Sequence, residues 1–336
     1  LSAEVGIRSH SIRILSTVPE TPLIIVNTHQ VLNLTNPVDN TTYTAEQFGN
    51  LTFVGVGFEN LGDIEGRYGA INILGMNHAP ANVEVPSTII GCTIWNSSGH
   101  AVVFSESDRI TFSRNFIYKA HNNAVRVFNG THLKITDNLI ANTQYGLHNN
   151  ATHPTISFWV MAENSTKDVN ISGNVVVGDQ NVSYVVHSGD CDTTSQVFSD
   201  NLAHSGNIGW LAIQGNINCS AISKFSAYKM QEGVIAYLRS NRLHASHLIL
   251  SDNINSLTLN LGTNRFMHRI DFTDSLLSGL GFENCADCYT STQECSGVSG
   301  MRLSTITHEA LRFPRTDGKP LYAATSAGDF NERVHI

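Results

Sequence analysis

The chain has 336 residues, of which 41% are hydrophobic and 14% charged, with a net charge of −8 and a pI near 6.0. No broad basic footprint exists, which argues against nucleic acid and anionic membrane as partners, and no apolar run reaches the roughly 18 residues of a membrane span. Ordinary soluble domains carry about 25% charged residues, so this surface must be polar without charge, built from Asn, Ser, Thr and Gly.

The opening Leu1-Ser2-Ala3-Glu4 shows neither an initiator Met nor a signal peptide. It reads as an interior fragment or a mature portion; if the parent is exported or membrane-anchored, those signals are expected outside it. Asn-x-Ser/Thr sequons occur at Asn33, Asn40, Asn50, Asn96, Asn129, Asn150, Asn164, Asn170, Asn181 and Asn218, which makes N-glycosylation and a secretory compartment the expectation. The cysteines agree. Cys191, Cys219, Cys285, Cys288 and Cys295 are disulfide candidates, the last three in a Gly/Ser/Thr-rich stretch with little core of its own. Half a zinc site or a redox motif at Cys285-Ala-Asp-Cys288 is the other reading, but no second Cys/His pair stands at ligand spacing. Cys92 falls on a regular segment and reads as a buried free thiol.

From residue 88 an internal repeat dominates. Ile94 falls over Ile117, Trp95 over Tyr118, Ala101 over Ala124 and Val102 over Val125, and the next copy carries Ile110 to Leu133, Asn115 to Asn138 and Ile117 to Ile140, always 23 residues on. Looser copies follow at Val169–Val177, Val197–Ala203, Ile222–Met230, Leu248–Leu257 and Ile270–Gly279. Each unit is a short period-two strand, a turn pair such as Asp137-Asn138, and another apolar strand. Strands of about seven residues joined by three turns consume a little over 20 residues. The expected fold is therefore all-β, a right-handed parallel β-helix of about 22–23 residues per coil. It is expected to span residues 1–284, with 285–336 forming a disulfide-tied cap or a connection to a following domain. Asn115, Asn138, Asn174, Asn201 and Asn253 read as one stacked turn position, where Asn tolerates left-handed φ and amides bond from coil to coil.

Ala3-Glu4-Val5-Gly6-Ile7, Ser11-Ile12-Arg13-Ile14, the run Val56-Gly57-Phe58-Glu59-Asn60-Leu61-Gly62, Gly66-Arg67-Tyr68 and the stretch Phe225–Leu238 resemble, in that order, the β-helical region of fibrocystin, fibrocystin-like proteins and related hyaluronan-degrading cell-surface proteins. The resemblance implies a right-handed β-helix in a large extracellular or ciliary-surface glycoprotein with a distant anchor. The hyaluronan-degrading branch carries a histidine pair after the Arg-Tyr motif and carboxylates in a later coil. Here the corresponding stretches read Gly69-Ala70-Ile71-Asn72-Ile73 and Asn123–Gly130, without them, so the fibrocystin-like branch is the closer match.

Glycosidic hydrolysis needs two carboxyl groups roughly 5 to 10 Å apart, and one coil step supplies about 4.8 Å. Glu84 with Glu106 or Asp108, and Asp252 with Asp274, stand about one coil apart in sequence, but Asp252, Asp274 and the Glu106-Ser107-Asp108 run read as turn residues. Asp63-Ile64-Glu65-Gly66-Arg67 with His78, His100 and His121 is a further acid/histidine group, read as surface or turn residues. Asp179, Asp190 and Asp192 match no defensible calcium loop. No catalytic residue, metal site or cofactor is assigned. The reading is a structural and adhesive module whose partners are other extracellular or coat proteins, further copies of itself or carbohydrate. A polysaccharide-active enzyme of the hyaluronan-degrading type, on the same scaffold, is the alternative.

Overall fold

Ile94, Ile117 and Ile140 pair in parallel register on neighbouring strands of the computed structural model, each at most 1% exposed. The structure describes residues 12–17, 21–26, 30–35, 42–47, 51–63, 68–75, 87–145, 155–161, 168–187, 189–190, 197–213, 219–238, 242–261, 269–279, 299–305 and 333–335. These contain strands and turns and no helix, arranged as a parallel β-helix. They fall into two compact units, 1–155 with 159–171, and 156–158 with 172–336.

In the first unit three parallel sheets form the walls. The first runs through Ile12–Leu15, Val56–Glu59, Thr93–Ser97, Phe116–Ala120 and Leu139–Ala141. The second runs through Leu23–Val26, Gly69–Leu74, His100–Ser105 and Val125–Phe128, and the third through Thr52–Val54, Ser87–Ile90, Ile110–Ser113 and Lys134–Thr136. Side chains alternate across a strand, so every second residue enters the core. Phe58 then stacks with Ile94, Ile71 with Val102 and Val125, and Ile89 with Phe112 and Ile135, all nearly inaccessible. Burying one such aliphatic side chain contributes roughly 1.5–3 kcal/mol. Coil length varies through loops, not through the walls. Ile94 pairs 23 residues before Ile117, whereas Phe58 pairs 36 residues before Ile94 and Ile12 pairs 44 before Val56. The longest of these excursions contains an antiparallel hairpin, Gln30–Thr35 with Thr42–Gln47.

The second unit repeats the scheme, with Val175–Val177, Asn201–His204, Ser220–Tyr228, Arg242–Asn253 and Arg269–Thr273 in one sheet, and Val182–His187, Ile208–Ile213, Glu232–Leu238 and Asn255–Leu261 in the other. Its core is aromatic. Tyr184 lies parallel to Phe158 at 5.0 Å, and Phe198, Trp210 and Phe225 pack around it and each other. Past residue 284, where the expected helix boundary stands, Ser299–Thr305 pairs in parallel with Asn255–Leu261 and Arg333–His335 with Arg269–Thr273. Cys285, Cys288 and Cys295 lie outside the described residues.

Candidate functional site

The polar residues that recur coil by coil are the first candidates for a site. In the first unit Cys92, Asn115 and Asn138 form one column. The backbone amide of Cys92 donates to Asn115 Oδ1 at 2.8 Å and that of Asn115 to Asn138 Oδ1 at 2.9 Å. The side-chain Nδ2 of Asn115 donates back to Ile89 O and that of Asn138 to Phe112 O, both at 3.0 Å. Asn174 and Asn201 make the same rung in the second unit. These asparagines are buried and their own φ is not left-handed. The left-handed residue is the one before each: Arg114, Asp137, Gly173, Asp200. This corrects the expectation that Asn itself adopts that φ. An asparagine here needs its amide as donor and acceptor at once, and the preceding residue, outside the core, takes the left-handed backbone.

Asn253 corrects the same expectation differently. Val177 pairs with His204, His204 with Tyr228 and Tyr228 with Ser251, so two residues further on Asp179, Gly206, Met230 and Asn253 form a second column at another corner. Asn253 Oδ1 accepts the Met230 amide at 2.9 Å and its Nδ2 donates to Ala227 O at 3.1 Å. Asp274 follows the first column, in ion-pair range of His247 at 3.8 Å, while Asp252 belongs to the second. The 22-residue offset between them therefore does not bring the two carboxylates together.

Among the described residues, carboxylates and histidine meet at one corner of the first unit. Asp108 Oδ1 accepts from Thr131 Oγ1 at 2.9 Å and lies 2.8 Å from His132 Nδ1, while His132 Nε2 is 3.5 Å from Asp168 Oδ2. Arg109 Nε stands 3.6 Å from Asp108 Oδ2. Arg109, His132 and Asp168 all hold left-handed φ, so this is a third turn column. Both imidazole nitrogens face carboxylates, which leaves the ring neither a free base nor an open metal ligand. The sequence signal was available: Asp108-Arg109 and Thr131-His132 are one coil apart. Glu84, Ile64–Arg67 and His78 lie outside the described residues. Glu106 is a left-handed turn residue, and Asp63 is buried.

His100 overturns its reading as a surface histidine. It is 4% exposed, its Nδ1 accepts the Asn123 amide at 3.1 Å, and its Nε2 is 3.3 Å from Arg126 Nη1. The Arg126 guanidinium lies 5.0 Å over Trp159, a cation–π arrangement. His121 is half-exposed, its Nδ1 3.2 Å from Tyr145 O. On the outer face of the first sheet Trp95 stacks on Tyr118 at 4.3 Å, continuing the Glu59, Trp95, Tyr118, Ala141 row. In the second unit His204 stacks on Tyr228 at 4.6 Å.

Asp179 is 5% exposed, and among the described residues neither carboxylate oxygen has a hydrogen-bond partner in good geometry. Burial pushes its carboxyl up to about 6, against a lesser opposite pull from the nearby Ser183 hydroxyl and the amides of Asn207 and Asn181. Tyr184 beside it is pushed up as well, by burial first and by Asp179 second. Asp190 sits on a two-residue antiparallel strand against Ser220, and Asp192 lies outside the described residues.

Of the sequons, Asn96 is exposed, with left-handed φ, near the end of the strand Thr93–Ser97, its Nδ2 2.9 Å from Asn60 Oδ1. Asn129, Asn170 and Asn181 are half-buried, and Asn33 lies on the hairpin strand opposite Thr44. Asn40, Asn50, Asn150, Asn164 and Asn218 are outside the described residues, as is Cys191. Cys219 is buried and disulfide-bonded, with its partner outside them. Cys92 is a buried free thiol.

Fibrocystin of Canis lupus familiaris is 25% identical over 175 residues and that of Mus musculus 24% over 176, each match covering 51% of this chain. Over that half the chain is distantly similar to fibrocystin. It spans about 4% of the length of these curated relatives. No family model matches it, and no solved structure does.

Proposed function

We propose that this chain is a non-catalytic β-helical module of an extracellular, cell-surface glycoprotein, serving as a stiff support for glycans and for adhesive contacts. The observation that carries this reading is the use made of the repeated polar residues. Asn115, Asn138, Asn174, Asn201 and Asn253 turn inward and spend their amides on neighbouring coils, so among the described residues the repeated asparagines serve stiffness and are not offered to a substrate. The similarity to fibrocystin supports a secreted or surface setting; a ciliary location is the narrower form of the proposal. Partners on this reading are other coat proteins, further copies of the chain or carbohydrate, engaged through outward rows such as Trp95 and Tyr118.

Asp108, His132 and Asp168 are the group that best suits the enzymatic alternative. A retaining or inverting glycosidase needs one carboxyl group free to protonate a leaving oxygen and a second free to attack or activate water. Asp108 is occupied by Thr131 and His132, and the imidazole stands between the two acids. The test is to incubate the secreted, glycosylated chain with high-molecular-weight hyaluronan and chondroitin sulfate and follow polymer length by size-exclusion chromatography with light scattering. Unchanged length over a day, with saturable binding to a surface partner or to itself, supports the module. Depolymerisation that Asp108→Asn abolishes overturns it.

A further inference from the structure

The second turn column contains one residue that does not fit its neighbours. Asn253 shows what the position asks for: an oxygen that accepts the Met230 amide and an N–H that donates to Ala227 O, both within the buried turn. Asp179 stands at the same corner, earlier in the column of the same unit. As a carboxylate it offers acceptors only. As a neutral acid it offers one acceptor and one O–H donor, the same pair an asparagine amide supplies.

The surroundings fit the neutral form. Asp179 is 5% exposed and, among the described residues, both oxygens are without partners in good geometry, an arrangement that costs an anion far more than a neutral group. The next residue in the column is Gly206, and a Cβ there would lie 3.0 Å from Asp179 Oδ1. The carboxyl group therefore occupies space that any other residue at 206 would contest. Among the described residues no cation faces it. The groups that do are the Ser183 hydroxyl, the Asn181 and Asn207 amides and the phenol of Tyr184, whose hydroxyl donates instead to Asn174 O at 2.9 Å.

We infer that Asp179 is a proton-operated rung: neutral, it sits in the closed column at little cost, and ionised, it loosens the turns at 178–181 and 205–207. The sign follows from linkage. The folded carboxyl titrates near 6, above its ordinary value, so the folded state holds the extra proton between the two values. The stabilisation is complete below about 4 and is lost as pH rises through about 6. A surface protein carrying this rung tightens the second unit in an acidic compartment and relaxes it at neutral pH, with the Asn181 sequon on the affected turn.

Hydrogen exchange read by mass spectrometry tests this on the whole chain at pH 5.0 and 7.5, corrected for intrinsic rates, in wild type and Asp179→Asn. In wild type, peptides covering 175–187 and 201–213 are expected to lose protection at pH 7.5 relative to pH 5.0, by on the order of 10-fold. The variant should keep its protection at both pH values, and peptides from 110–128 should not change in either protein. Equal pH responses in the two proteins would refute the rung, as would an Asp179→Asn chain that fails to fold. If only wild type can be prepared, a protection midpoint near pH 6 confined to these turns supports it, and a flat profile sinks it.

Discussion

Asn115 and Asn138 meet at a single oxygen: Oδ1 of Asn138 accepts both the backbone amide of Asn115, at 2.9 Å, and its side-chain Nδ2, at 3.0 Å. Truncating Asn138 to Ala removes that acceptor and also strands Phe112 O, which Asn138 Nδ2 satisfies. Each buried polar group left unpaired costs about 1–3 kcal/mol. The expected outcome for Asn138→Ala is a folded but clearly less stable first unit, with the loss read in guanidinium unfolding and the exchange of the Asn115 amide rising with it. An unchanged midpoint would mean that water replaces the rung.

Cys92 holds an asparagine's place in this column. Its Sγ lies 3.5 Å from the Val56 amide and makes long contacts with Phe53 O and Ile90 O, all weaker than the amide bonds of Asn115. Cys92→Asn is therefore expected to fold at least as stably as wild type, whereas Cys92→Ala should lose about 1–3 kcal/mol. Burial also pushes the Cys92 thiol up, so it should resist maleimide labelling in the folded chain and react after denaturation. Rapid native labelling would contradict this placement.

Ile117 lies between Ile94 and Ile140 with no exposed surface. Truncating it to Ala removes packing against both coils and leaves a cavity, for which about 2–5 kcal/mol is expected. Calorimetry of Ile117→Ala against Ile117→Val, where about 0.5–1.5 kcal/mol is expected, separates packing from a general loss of fold.

His132 is 55% exposed between Asp108 and Asp168. Solvent screens such pairs, so His132→Ala should shift stability by less than about 1 kcal/mol, and raising salt should shrink even that. A loss of several kcal/mol would show the corner to be structurally central.

Asn96 is the described sequon whose asparagine is exposed, near the end of the strand Thr93–Ser97. Asn96→Gln in a secretory host should remove one glycan, seen as a single step in intact mass. Unfolding should change little, because the hydrogen bond from Asn96 to Asn60 is solvent-exposed and water can replace it. An unchanged mass would show the site to be unoccupied.

The coil was legible in the sequence wherever no loop interrupts it. Ile94, Ile117 and Ile140 are spaced by 23 residues because each coil between them closes with the shortest turns, and the structure pairs them residue for residue. The corners were less legible. Asp137-Asn138 and Asp252-Asn253 look alike in sequence because each is a left-handed turn residue followed by an inward amide. Which corner a pair occupies depends on how much chain has been used since the last one, and loops hide that number. For the same reason Asp252 and Asp274 look one coil apart but stand in different columns, while Asp108, His132 and Asp168 assemble across a 36-residue step between the last two.

What the sequence by itself determined is the coil: period-two alternation commits alternate side chains to one interior, and an identical spacing stacks them, because both are local properties of the chain. The tertiary structure alone decided the chemistry of the polar residues. Whether an Asp is a solvated turn former like Asp137 or a buried carboxyl like Asp179 depends on which wall closes over it, and burial is set by neighbouring coils rather than by the residues beside it in the chain.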